Sequence, residues 1–244
     1  MKGVDTLNTI LFDLDGTLLP MDMSVFEREY FKRLCKKLEN YFPPDKTIDY
    51  VWNATYEMIS NTDPNLANID VFMDKFCKLS NRDREEMLDV FSHFYDNEYK
   101  ELKEFFSPSF YMVKAVRILK NKGYILAVAT NPIFPMKAVL ERIKWAGLNQ
   151  DDFHFITSFE NMHFCKPHID FYKEVLWMLG KKPEDCLMVG NDVEEDLIAR
   201  RLGIKTFLIK DYAINKNNIS VISDFIGSYE DFYNFVQTLP TLKG

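Results

Sequence analysis

The stretch Thr9-Ile10-Leu11-Phe12-Asp13-Leu14-Asp15-Gly16-Thr17-Leu18 constrains this chain more than any other. Ile10-Leu11-Phe12 is an apolar run of the length of a short buried strand. It leads directly into two aspartates one residue apart, then a glycine and a threonine. In extended backbone, residues i and i+2 project to the same side. Asp13 and Asp15 therefore aim both carboxylates at one small volume just past the strand's C-terminal end, the edge at which open α/β sheets bind ligands. Two like charges held together repel unless a cation lies between them or one takes a proton. A hard cation such as Mg²⁺ prefers oxygen ligands, often one or two carboxylates plus a substrate phosphate. A carboxylate can also act as a nucleophile and form an aspartyl-phosphate. Taken alone, Asp-Leu-Asp-Gly is equally a turn, since Asp and Gly are turn residues. The rest of the chain has to decide.

That remainder falls into two regimes. From Met21 to about Phe106 the apolar residues recur at helical spacing, as in Phe26, Tyr30, Phe31, Leu34 and Leu38, with almost no glycine. Pro43-Pro44 closes the first helix. Further helices are expected over Lys46–Ser60 and Ile69–Leu79, and a fourth after Ser80-Asn81 with Met87, Leu88, Phe91 and Phe94-Tyr95 on its apolar face. Past Pro108 the rhythm alternates. Ser109–Lys122 reads as a helix, Tyr124–Ala129 as a strand, Pro132–Trp145 as a helix whose regular start Pro135 delays, and Phe153–Thr157 as a strand. Pro167–Leu179 is a helix, Cys186–Val189 a strand, Val193–Leu202 a helix and Lys205–Ile209 a strand. An edge strand over Ile219–Ile222 and a closing helix over Tyr229–Thr238 complete the reading. Such alternation predicts an α/β fold, a doubly wound, Rossmann-like parallel sheet with helices on both faces. Residues 1–20 and 107–244 form this core, and residues 21–106 an inserted all-α domain.

Composition excludes several classes. The 244 residues carry a formal net charge of −7, which disfavours a nucleic-acid polymer as partner. Cys35, Cys77, Cys165 and Cys186 form no C-x-x-C pair, and read as buried free thiols of a reducing compartment. The first residues, Met1 to Asn8, lack the apolar stretch of a signal peptide. No run approaches the roughly 18 apolar residues of a membrane span. A cytoplasmic protein without membrane partners, monomer or homodimer, is expected.

Three further signals fall at the ends of predicted strands. Ala129-Thr130-Asn131-Pro132 ends a strand in a hydroxyl and an amide at the start of a helix, whose free N–H groups favour a phosphate. The same residues also serve as an ordinary N-cap with Pro in the first turn. Lys166-Pro167 puts a cation before a helix start, where the helix already carries partial positive charge; a bound anion would resolve this, and so would simple solvation. Val189-Gly190-Asn191-Asp192-Val193-Glu194-Glu195-Asp196 sends a strand into glycine and an acid pair. Asp192 can share a metal with Asp13, with Asp196 holding the ligand set or Lys166; Asp192 with Glu195 also fits a capping box.

Four such signals in this order resemble the haloacid dehalogenase superfamily of phosphotransfer enzymes. Its motifs are matched by Asp13-Leu14-Asp15-Gly16-Thr17, by Thr130-Asn131, by Lys166, and by Gly190-Asn191-Asp192 with Asp196. The resemblance runs from about Thr9 to Lys210, and the insertion stands where family members with a helical cap carry theirs. It implies that Asp13 is the nucleophile and Asp15 the general acid and base. It implies Mg²⁺ held by Asp13, the main-chain carbonyl of Asp15, and Asp192. Thr130, Lys166 and Asn131 would bind the phosphoryl oxygens, with Thr17, Asn191 and Asp196 supporting them. Members that only dehalogenate usually lack the second aspartate. Many members carry an acid directly after the glycine, where this chain has Asn191, so either Asn191 or Asp192 is the inner group. The implied activity is a Mg²⁺-dependent phosphatase acting on a small phosphorylated metabolite. The alternatives are a sugar phosphomutase on the same scaffold, and, from another class, a phospho-Asp switch or a non-catalytic binding module.

Overall fold

The computed structural model describes residues 6–242. Met1 to Asp5, which entered the signal-peptide reading, and the outer ends of the two expected core segments lie outside the described residues. Six strands form one sheet in the order β3-β2-β1-β4-β5-β6, and every pairing is parallel. They are β1 (Thr9–Phe12), β2 (Ile125–Val128), β3 (Phe155–Ile156), β4 (Cys186–Gly190), β5 (Lys205–Ile209) and β6 (Phe225–Gly227). β1 lies at the centre, with Thr9–Phe12 in register against Ile125–Val128 on one side and Cys186–Val189 on the other. A parallel central strand is buried on both faces, which explains its unbroken apolar sequence.

The faces follow the strand alternation. Ile10, Phe12, Leu126, Val128, Leu187 and Val189 join the core under α5 (Phe110–Asn121) and α8 (Tyr229–Thr238). Leu11, Ala127, Ala129, Cys186 and Met188 join a second cluster under α7 (Ile169–Leu179). Helices therefore cover both faces, as a doubly wound sheet requires.

Between β1 and α5 the chain builds α1 (Met23–Lys37), α2 (Pro44–Ser60), α3 (Asn68–Ser80), α4 (Arg84–Asp96) and a 3₁₀ segment, Glu98–Phe105. Their apolar faces do not close on themselves. Phe26 meets Phe134 edge-on, and Tyr99 and Phe106 stack on Trp145 of α6 (Met136–Trp145). The amides of Asn68 and Ile69 at the start of α3 donate to the carbonyls of Met162 and Phe159. The insertion is thus continuous with the main core.

Pro135 serves as the N-cap of α6, which begins at Met136, the delayed start that the sequence reading expects. That reading needs correction in three places. β3 is reduced to Phe155–Ile156. Val193–Leu202 is not one helix: turns lead into a 3₁₀ segment at Leu197–Leu202, because side chains of the site capture the backbone between Asp192 and Asp196. The edge strand is Phe225–Gly227 rather than Ile219–Ile222, since Asn215 ties up both the N–H and the carbonyl of Ile219 in a loop.

Candidate active site

β1, β2 and β4 end side by side, and the loops that follow them converge. Asp13 directly follows β1 and is tied by its amide to Val189 of β4. Its carboxylate accepts a hydrogen bond from Lys166 Nζ at 3.0 Å. The same ammonium donates to Asp196 Oδ1 at 2.6 Å. Lys166 is about 1% exposed, so it is no solvated surface lysine. Burial alone would favour its neutral form, but Asp13 and Asp196 outweigh that and hold its pKa well above the usual lysine value.

Asn131 fixes the segment that carries this lysine. Its Oδ1 accepts the Lys166 amide at 3.1 Å, and its Nδ2 donates to the Lys166 carbonyl and to Glu195 Oε2. The backbone of Thr130 is held by the Thr157 hydroxyl, which donates to its carbonyl at 2.7 Å. The Thr130 side chain is left with no hydrogen-bond partner among the described residues.

Two glycines answer to the close packing. Gly16 has φ +84°, a conformation that disfavours side chains, and a Cβ there would lie 2.3 Å from Asn191 Nδ2. A Cβ at Gly190 would lie 2.1 Å from Asp196 Oδ2. Asn191 is buried between these loops. It accepts from the Thr17 hydroxyl at 3.0 Å and donates to the Tyr212 carbonyl at 2.7 Å. The Tyr229 hydroxyl, from α8, donates to the Gly16 carbonyl at 2.8 Å and pins the turn after Asp15.

Asp192, expected with Asn191 as one of two candidates for the inner group, has one carboxylate oxygen engaged. Its Oδ1 accepts the amides of Glu194 and Glu195, and its own amide donates to Asp196 Oδ2. Half of a capping box is therefore made, with Asp196 rather than Glu195 returning the second bond. Asn191, not Asp192, is the inner side chain. Among the described residues no three His, Cys, Asp or Glu side chains converge to hold a metal. The donor set nonetheless suits a hard cation. Asp13 offers a carboxylate, the Asp15 carbonyl accepts no hydrogen bond among the described residues, and Asn191 offers an amide oxygen. Among the described residues, Lys166 pairs with Asp13 and Asp196, and Arg142 with Asp15. Burial pushes the Glu195 carboxyl up to about 8, against the pull of Lys166.

Arg142 was not foreseen. It lies on α6, about 1% exposed, and its Nη1 pairs with Asp15 Oδ2. Its guanidinium covers the Phe134 ring at 4.5 Å from the centroid. Burial pushes the Asp15 carboxyl up to about 6, against the pull of Arg142 and with help from Asp13. A signal existed in the sequence: Arg142 shares its helix face with Ala138, Val139 and Trp145, all apolar, and a charge on such a face needs a buried partner.

Comparison with known proteins agrees with this arrangement. Residues 10–209 match the family of haloacid dehalogenase-like hydrolases. The chain belongs to that family. Among its curated relatives are pyrophosphatases PpaX, 25% identical over 200 residues in Bacillus cereus strain AH820 and 23% over 205 in Bacillus pumilus, each covering 82% of both chains. The fold matches a predicted phosphoglycolate phosphatase from Haemophilus somnus at TM-score 0.58 and 22% identity, covering 95% of this chain and 99% of that one. It also matches the L-2-haloacid dehalogenase of Xanthobacter autotrophicus at TM-score 0.56 and 16% identity, covering 96% and 99%. The expected enzyme class, a hydrolase of this superfamily with phosphatases among its relatives, is met. No helix among the described residues is long and apolar enough to cross a membrane.

Proposed function

We propose that this haloacid dehalogenase-like hydrolase is a Mg²⁺-dependent phosphatase of small phosphate monoesters. The observation that carries the reading is a pair of unlike carboxyls two residues apart. Asp13 accepts a hydrogen bond from the Lys166 ammonium, while the Asp15 carboxyl, paired with Arg142, is pushed up to about 6. One suits a nucleophile and the other a group that both gives and takes a proton near neutral pH.

Asp13 attacks phosphorus and the ester oxygen leaves with a proton from Asp15. Asp15 then takes a proton from the water that hydrolyses the aspartyl-phosphate. Lys166, the Thr130 hydroxyl and the Asn131 amide bind the phosphoryl oxygens, and stabilise charge that positioning and electrostatics must carry in such transfers. Asp196 keeps Lys166 in place from behind. Mg²⁺, when bound, neutralises phosphoryl charge; Asp13, the Asp15 carbonyl and Asn191 would hold it. Asp192 shapes the loop that presents Asn191. Residues 21–106 act as a cap over this site. A soluble protein working on a metabolite in the cytoplasm fits the reading.

The test is phosphate release from p-nitrophenyl phosphate with Mg²⁺ or EDTA, for wild type and Asp13→Asn. Metal-dependent release by wild type, reduced at least a thousandfold in the variant, is expected. Release that persists in Asp13→Asn, or no release from this ester and a panel of metabolite phosphates, would sink the proposal.

A further inference from the structure

Behind Arg142 lies a cavity of about 100 Å³ between α1, α2, α3, α4 and the loop that follows Asn131. Phe26, Phe31, Trp52, Phe72 and Phe134 are among its walls. It adjoins the reacting centre through one side chain. Phe26 and Phe134 line the cavity, Arg142 lies against both rings, and Arg142 pairs with Asp15. Ile133 and Phe134, two and three residues beyond Asn131, bring the wall within about 10 Å of the phosphoryl-binding loop, given some 3.3 Å per residue.

The chemistry of the lining is one-sided. No lysine or arginine lines it, and Glu27 is its single charged residue. Its hydroxyls are largely turned on one another: those of Tyr30 and Tyr95 share a hydrogen bond at 3.0 Å, and the Thr55 hydroxyl donates to the Val51 carbonyl at 2.8 Å. An anionic group entering here would lose its hydration and meet no cation. An apolar group would lose nothing and gain ring contacts.

We infer that this cavity receives the leaving group of the substrate, and that the leaving group is uncharged and apolar, an aryl or short alkyl chain. The inference rests on the phosphatase reading, in which Asp15, separated from the cavity wall by the Arg142 side chain, protonates the leaving oxygen. It also separates this chain from relatives named for pyrophosphate and phosphoglycolate, whose leaving groups are small anions. At about 100 Å³, against the roughly 150 Å³ of an apolar cavity that binds benzene, the cavity limits the group to a short chain or a single small ring.

The experiment is a steady-state series with Mg²⁺: methyl, propyl, pentyl and benzyl phosphate, with pyrophosphate and phosphoglycolate for comparison. Each methylene that enters the cavity should raise kcat/KM about fourfold until it is full, from roughly 0.8 kcal/mol per buried methylene. Both anionic substrates should fall below methyl phosphate. Val51→Phe fills the cavity and should bring the pentyl-to-methyl ratio to about one. Benzyl alcohol should quench tryptophan fluorescence in wild type but not in Val51→Phe, a readout independent of turnover. A flat series, or preference for pyrophosphate, in an active phosphatase overturns the inference and leaves the phosphatase reading intact. No turnover of any ester, with benzyl alcohol still bound, overturns the phosphatase reading and with it the leaving-group role of the cavity. If Val51→Phe does not fold, the wild-type series decides alone.

Discussion

Arg142 shows how a single residue can matter without touching the phosphate. Its Nη1 holds one oxygen of Asp15, while Asp15 Oδ1 and Arg142 Nη2 are buried with no partner. Such unpaired groups are expensive and are kept only where something uses them. On the phosphatase reading, the free oxygen of Asp15 is the one that handles the proton. Arg142→Gln should then release the Asp15 carboxyl from its fixed orientation. Turnover of alkyl phosphates, whose leaving groups need a proton, should fall about a hundredfold, the lower range for general acid catalysis. Turnover of p-nitrophenyl phosphate, whose leaving group needs none, should fall far less in the first chemical step, read as burst amplitude. Equal losses on both substrates would mean that Arg142 only supports the fold. Arg142→Lys keeps the charge but not the planar fork, and should recover part of the ratio.

At the scale of elements, the loops after β1, β2 and β4 are where the candidate residues meet and also where sequence reasoning stopped. That Asp13, Asp15, Thr130 and Lys166 come together was legible because each stands at or just past the end of a strand or in a loop at that edge of the sheet. A parallel sheet that includes β1 followed from the apolar runs and their alternation with helices. The orientation of Asn191 against Asp192 was not legible. Spacing favoured Asp192, but one oxygen of its carboxylate accepts two backbone amides while Asn191 is buried between the loops, a local competition that only coordinates resolve. Ile219–Ile222 failed for the same reason: a β-branched run lost to the Asn215 side chain. The loop after β4 makes its own prediction. Asn191→Asp replaces the donor to the Tyr212 carbonyl with a second acceptor, which costs about 1–3 kcal/mol in EDTA. The added charge should bind Mg²⁺ more tightly. The variant should melt below wild type in EDTA, gain more from Mg²⁺ than wild type does, and need less metal for half-maximal activity. An unchanged metal response would remove residue 191 from the metal's ligands.

For the whole molecule, the question is whether the insertion is an independent body. Its aromatic residues argue otherwise. Trp145, on α6 of the sheet domain, stacks on Tyr99 and Phe106 of the insertion, with centroids 5.3 and 6.1 Å apart. Phe72 of α3 meets Phe159 in the loop after β3, and Lys137 of α6 pairs with Asp96 of α4. The hydrophobic cluster runs unbroken from α2 through α6 to the sheet. A helical bundle that packs Phe26, Tyr30, Phe72, Tyr99 and Phe106 against rings of the neighbouring unit cannot lose those contacts without unfolding. Calorimetry should therefore show one transition with equal calorimetric and van't Hoff enthalpies. Trp145→Ala should remove about 3–5 kcal/mol, typical for deleting a large buried aromatic. At this chain length that lowers the melting temperature on the order of 10 °C. The decisive feature is the shape of the trace. If the ring contacts weld insertion and sheet together, the variant melts earlier but still as one unit. Two transitions in wild type, or a variant in which only the first of two moves, would make the insertion a separately folding cap that rests on the core without sharing it.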